Sequence, residues 1–119
     1  MSARAGARYP DSLPATWLAE RLAVDPAKID AMRRGGDLIA VRAPGSTEWS
    51  YPAWQFDEWK PRRGVARIVA AARESSLDEA QLYHLLTSPL GLRHEGRRRL
   101  VDLLLEGRED EVVAAVRAG

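Results

Sequence analysis

The sequence predicts a mainly α-helical protein with one small β-hairpin, and three observations lead there. Apolar residues recur at helical spacing in segment after segment. The single β-prone stretch is short, and residues of the turn-forming kinds close it on both sides. Glycine, proline and serine separate the periodic segments at intervals that leave each helix only a few turns long.

Taken in order, residues 1–12 (MSARAGARYPDS) are small, basic and without periodicity, and are expected to be a disordered lead-in. Trp17, Leu18, Leu22 and Val24 supply the apolar face of a short helix beginning near Ala15. Asp25 is of the type that caps a helix and Pro26 suits its first position, so a second helix should run from Pro26 to about Arg34. That helix buries Ile29 and Met32, and Gly35-Gly36 stops it. Two short helices joined by a turn of about four residues form a helix-turn-helix. The β-prone run Leu38–Arg42, the turn Ala43-Pro-Gly-Ser46 and the alternating Glu48–Tyr51 then read as a hairpin, a wing directly after the second helix. Pro52–Phe56 looks like a short helix start whose Trp54 and Phe56 pack back on the hairpin, and WKPRRG (59–64) reads as a boundary.

From Val65 the expectation is helical throughout. Val65, Ile68, Val69 and Ala72 follow one helix face, and Ser75-Ser76 break it. Ser76-Leu-Asp-Glu79 matches a capping box that would open the next helix, with Leu82, Leu85 and Leu86 on its face. Thr87–Gly91 ends that helix. A third helix is expected over roughly Arg98–Glu106, closed by Gly107, and a fourth over Glu109–Arg117, acidic at its start and basic at its end. The fold class is thus a winged helix-turn-helix over 13–57 and a compact helical module over 64–119.

Composition narrows the function classes. The 119 residues are 45% hydrophobic and 29% charged, with no cysteine, so disulfides and thiolate metal sites are excluded. No apolar run approaches the about 20 residues of a membrane helix, and a cytoplasmic setting is expected. Net charge is only +1: residues 1–63 carry ten Lys/Arg against eight Asp/Glu, and residues 64–119 carry eight against nine. Any polyanion partner must therefore be held by local clusters such as Arg33-Arg34, Lys60 with Arg62-Arg63, or Arg97–Arg99. His84 and His94 lack carboxylates at ligand spacing, and no nucleophile elbow or phosphate-cradling loop is present. The expectation is a non-enzyme with no cofactor and no metal.

The second half resembles the toxin-binding module of the Xre/MbcA/ParS antitoxin family. That family runs from a leucine-rich segment through a proline loop to a PLDLL…G helix and a last valine- and alanine-rich helix. The matching residues are Leu85-Leu86-Thr87-Ser88-Pro89-Leu90, Gly96, Val101-Asp102-Leu103-Leu104, Gly107 and Val112–Val116. Tyr51–Phe56 is similar to the linker of actinobacterial members that carry a MerR- or excisionase-like helix-turn-helix. Leu100 replaces the proline that usually opens the PLDLL helix, Arg97 replaces a glycine, and Ala23 replaces the common glycine of the turn. The resemblance implies a cognate protein toxin as partner, of RES type in the favoured case, with the antitoxin's C-terminal end approaching the toxin's active-site cleft. It places Pro89, Gly96, Arg99, Val113, Arg117 and Gly119 in that contact, and small terminal residues suit insertion into a cleft.

For the first half, a second helix lying in a major groove would turn Lys28 and Ala31 towards base edges and set Arg33 and Arg34 on phosphates. Thr16 is placed for a backbone phosphate, and Arg42 for the backbone or minor groove. Asp30 on the same face would repel phosphate. The function expected is an antitoxin that neutralises its toxin and represses its own promoter, as a homodimer or toxin–antitoxin hetero-oligomer. The alternatives are a stand-alone or excisionase-like DNA-binding regulator, and a scaffold whose helix-turn-helix has left DNA.

Overall fold

The computed structural model describes residues 9–88 and 99–118. The chain divides into two compact units, residues 1–62 and 63–119. It is mainly helical with small antiparallel β-pairs, a winged helix-turn-helix-like fold.

The first unit contains β1 (Ser12–Pro14), α1 (Ala15–Leu22), α2 (Pro26–Arg34), β2 (Ser50–Pro52), a 3₁₀ turn (Ala53–Gln55), β3 (Phe56–Asp57) and β4 (Lys60–Pro61). The start signal at Asp25 works as its chemistry requires: the carboxylate accepts the Ala27 N–H at 2.9 Å, with Pro26 in the first turn. Leu18, Ala19, Ile29, Leu38, Ala40, Tyr51 and Phe56 form the core of this unit. Trp17 and Val24 are exposed instead of sharing the apolar face of α1. That face buries Leu18 and Ala19, while Trp17 meets Trp59 edge-to-face at 5.1 Å.

Two expectations need correction here. The 38–51 hairpin reduces to one bridge, in which Val41 and Ser50 exchange both backbone hydrogen bonds at 2.8 Å. Residues 38–41 are all buried, so they fill the core and do not alternate between a wet and a dry face. Ser50–Pro52 takes another partner, pairing with Ser12–Pro14 so that Leu13 lies opposite Tyr51. The end of the expected lead-in therefore belongs to the fold. Tyr9 is buried, and Asp11 accepts the Trp54 indole N–H at 2.7 Å and, through its carbonyl, the Ala53 N–H at 2.8 Å.

The second unit is helical: α3 (Val65–Glu74), α4 (Glu79–Thr87), α5 (Leu100–Leu105) and α6 (Glu109–Ala118). α6 packs against α3 and α5, and α5 against α4. Ile68, Leu86, Val101, Val112 and Val116 are fully buried, whereas Leu105 is exposed. The capping box opens two residues later than Ser76. Asp78 accepts the Gln81 N–H at 2.8 Å, and the Gln81 side chain accepts the Asp78 N–H at 2.8 Å. Ser76 is occupied at the end of the preceding helix, at φ +60.

One motif ends α1, α2, α3 and α5. The amide of the residue after the left-handed position reaches back across the last turn: Val24 to Ala19, Asp37 to Met32, Leu77 to Ala72 and Arg108 to Leu103, each at 2.9 Å. The left-handed position this motif needs falls on Ala23, Gly36, Ser76 and Gly107. Among the described residues, no helix is long and apolar enough to cross a membrane.

Candidate nucleic-acid interface

α1 and α2 pack on one another through Leu18, Ala19 and Ile29, and the turn between them is set by Ala23 at φ 59. With Ile29 turned inward, Ala27, Lys28, Ala31 and Arg34 form the exposed stripe of α2. Thr16 is exposed in the first turn of α1. Lys28 and Ala31, the two residues expected at base edges, are both exposed on that stripe, two and five residues after Pro26.

The two arginines of α2 separate into different roles. Asp30 forms an ion pair with Arg33 and another, at 2.9 Å, with Arg34. The hydrogen bond from Arg33, with the charges of Arg33 and Arg34, holds the Asp30 carboxyl below the usual carboxylate range although partial burial opposes it. Burial pulls Arg33 down, but the hydrogen bond and charge of Asp30 outweigh it and push its pKa up. The Arg33 side chain is only 17% exposed, while that of Arg34 is 67% exposed. Arg33 therefore belongs to an internal network, and Arg34 keeps the surface position expected of a phosphate contact. Asp30 also changes meaning. Its carboxylate is matched by two guanidiniums and orders them, so it is not a bare negative charge facing a ligand.

The network continues across the first unit. The Arg33 guanidinium lies 4.3 Å from the Trp49 ring centre, and the Arg42 guanidinium lies 4.5 Å from it. Burial raises the Tyr51 hydroxyl pKa, and the neighbouring Arg33 works against that rise. The structure thus brings Arg33 and Arg42 together on one indole, with Arg34 joined to Arg33 through Asp30. Trp49 and Tyr51 were missing from the sequence-derived site. The signal available for Trp49 was its place opposite Arg42 across the Ala43–Ser46 turn.

In the second unit, Pro89, Gly96 and Gly119 lie outside the described residues. Arg99 donates its backbone N–H to Asp102 at 2.9 Å and its guanidinium to the same carboxylate at 3.3 Å. Val113 is 2% exposed and is a core residue, which corrects its place in a toxin contact. The reason is periodicity: Val112, Val113 and Val116 share the one face by which α6 packs on α3 and α5. Arg117 is exposed and faces Glu74 at 3.6 Å. His84 is exposed, His94 lies outside the described residues, and among the described residues no group of His, Asp and Glu could hold a metal ion.

No protein-family profile matches the chain, and no curated protein matches it. Among solved structures, the NMR structure of Rv2175c is similar, with a TM-score of 0.77 and 22% sequence identity over 90% of this chain and 79% of that one. The likeness is one of fold, and it spans both units.

Proposed function

We propose that this chain is a non-enzymatic DNA-binding protein, with α2 entering the major groove and the Arg42 segment following the adjoining backbone. One observation carries the reading: the Ala27, Lys28, Ala31 and Arg34 stripe of α2 stands clear of the core, with the Arg42 guanidinium tied to the last turn of that helix through Trp49. On this reading Lys28 and Ala31 read base edges, whereas Thr16, Arg34 and Arg42 contact phosphate. A single nine-residue helix makes few base contacts, so a symmetric pair of half-sites about 34 Å apart, bound by a dimer, would supply the remaining affinity.

Fluorescence anisotropy with a labelled duplex carrying the chain's own upstream region tests this. The expected result is salt-sensitive binding, weakened about tenfold or more by Lys28→Ala at the preferred sequence. Arg34→Ala should weaken all sequences alike and lower the salt slope by about 1. Absence of salt-dependent binding sinks the reading.

The finer role, a repressor of its own operon that also neutralises a toxin, rests on the resemblance over residues 85–119. Removing α6 cannot test it, because Val112, Val113 and Val116 hold the second unit together. The exposed Arg117 can be reversed without touching that core. Arg117→Glu should abolish rescue of cells expressing the adjacent toxin, and full rescue would count against this contact.

A further inference from the structure

We infer that Arg42 is a separate phosphodiester-contact point and that Trp49 is the residue that positions it. This inference rests on the DNA-binding reading and adds to it a site with its own supporting residue.

The register supplies the first argument. Val41 lies opposite Ser50, so Arg42 and Trp49 are the next cross-strand pair and flank the loop 43–48 at its root. The ladder ends at that bridge. The contact that aims the Arg42 side chain is therefore the indole face, 4.5 Å from its guanidinium.

Charge supplies the second. The two guanidiniums lie 4.3 Å and 4.5 Å from one ring centre, so they stand no more than 8.8 Å apart. That is within about one Debye length at physiological salt, so their fields add. Arg33 is matched by Asp30, but Arg42 is exposed and forms no ion pair among the described residues. The result is a concentration of positive charge with one guanidinium edge open. A guanidinium resting on an aromatic face keeps its N–H edge directed outward, and that planar fork matches two phosphate oxygens. Losing the indole would leave Arg42 charged but unaimed.

Anisotropy of the full chain on a mixed-sequence duplex, from about 50 to 200 mM salt, tests both parts. Arg42→Ala should lower the magnitude of the salt slope by about 1. Trp49→Ala should lower it equally, and Trp49→Phe, which keeps an aromatic face, should restore most of it. The Arg42→Ala/Trp49→Ala double variant should bind no more weakly than either single variant, because the indole acts through the arginine. Additive losses, or a Trp49→Phe variant as weak as Trp49→Ala, would overturn the positioning role. If Arg42→Ala leaves the slope unchanged while Lys28→Ala still weakens binding, the phosphate site is wrong and the DNA reading stands. If the unaltered chain shows no salt-dependent binding, both are wrong.

Discussion

Gln55 satisfies both backbone groups of Ile39: its side-chain carbonyl accepts the Ile39 N–H at 2.7 Å, and its amide donates to the Ile39 C=O at 2.7 Å. The same amide reaches the Pro52 carbonyl at 3.0 Å. Gln55 is fully buried and Ile39 almost so, which puts this exchange out of reach of water. One side chain thus stands in for a β-partner, and it fixes the core segment that leads into the Arg42–Trp49 pair.

Replacing it tests the point. Gln55→Leu keeps the bulk but strands three buried backbone groups, the Ile39 N–H and C=O and the Pro52 C=O, each costing about 1–3 kcal/mol. The expected loss is about 3 kcal/mol, with a fall in melting temperature of at least about 10 °C. Gln55→Glu should be similarly damaging at neutral pH, because an ionised carboxylate cannot donate to Ile39 or Pro52. Thermal melts followed by circular dichroism would check both, and an unchanged melting temperature for Gln55→Leu would show that the exchange contributes nothing.

Ala23 gives a prediction of opposite sign. It holds the left-handed position between α1 and α2 at φ 59 while exposed to solvent, so Ala23→Gly removes strain without removing a packed side chain. The gain should be about 1 kcal/mol, read as a shift of the urea midpoint at constant slope. Ala23→Val should lose stability, since a β-branched residue tolerates this backbone less well than alanine.

These two residues also show where the sequence was readable and where it was not. The start of α2 and the buried face of α6 were legible because their signals are local. Asp25-Pro26 opens α2 through its own side chain, and the Val112–Val116 spacing names a buried face by itself. What escaped depended on partners far along the chain. Ser12–Pro14 is a strand only because Ser50–Pro52 lies beside it, and Gln55 is a core residue only because Ile39 needs partners 16 residues away. The β3–β4 hairpin escaped for another reason: its turn sets Glu58 and Trp59 at φ 51 and 61, where asparagine and glycine are the usual signal. At the candidate site, the exposed Lys28, Ala31 and Arg34 were foreseeable from the period of α2. The inward turn of Arg33 was not, since it follows from Trp49 and Tyr51.

Acid and alkali should act on this network from opposite sides. The Asp30 carboxyl titrates below its ordinary value of 3.8, chiefly through Arg33, so its contribution is complete above that value and lost as pH falls through the lower folded one. The Tyr51 hydroxyl titrates above its ordinary 10.0 because it is buried, so its contribution is present below 10.0 and lost as pH rises further. Urea midpoints should therefore be flat between about pH 5 and 9 and fall at both ends. Asp30→Asn should shallow the acid limb and Tyr51→Phe the alkaline one. Limbs unaltered in these variants would place the responsible groups elsewhere.

Gly64 and Gly107 provide a matched pair in the second unit. Both sit at positive φ, 93 and 82, so alanine at either is strained by about 1–2 kcal/mol. Only at Gly64 is there also a collision, because an added Cβ would lie 2.5 Å from the Glu109 Cβ, whereas nothing lies within 4 Å at Gly107. Gly64 starts α3 and Glu109 starts α6, so relief of the clash must separate two helices that share Val65, Ile68, Val112 and Val116 as buried residues. Gly64→Ala should cost about 3 kcal/mol or more, and Gly107→Ala about 1 kcal/mol. Glu109→Gly removes the atom that is struck, so the Gly64→Ala/Glu109→Gly pair should be less unstable than the two single effects added together. Equal losses at the two glycines, or strict additivity in the pair, would mean that α3 and α6 yield at their ends without disturbing the core between them.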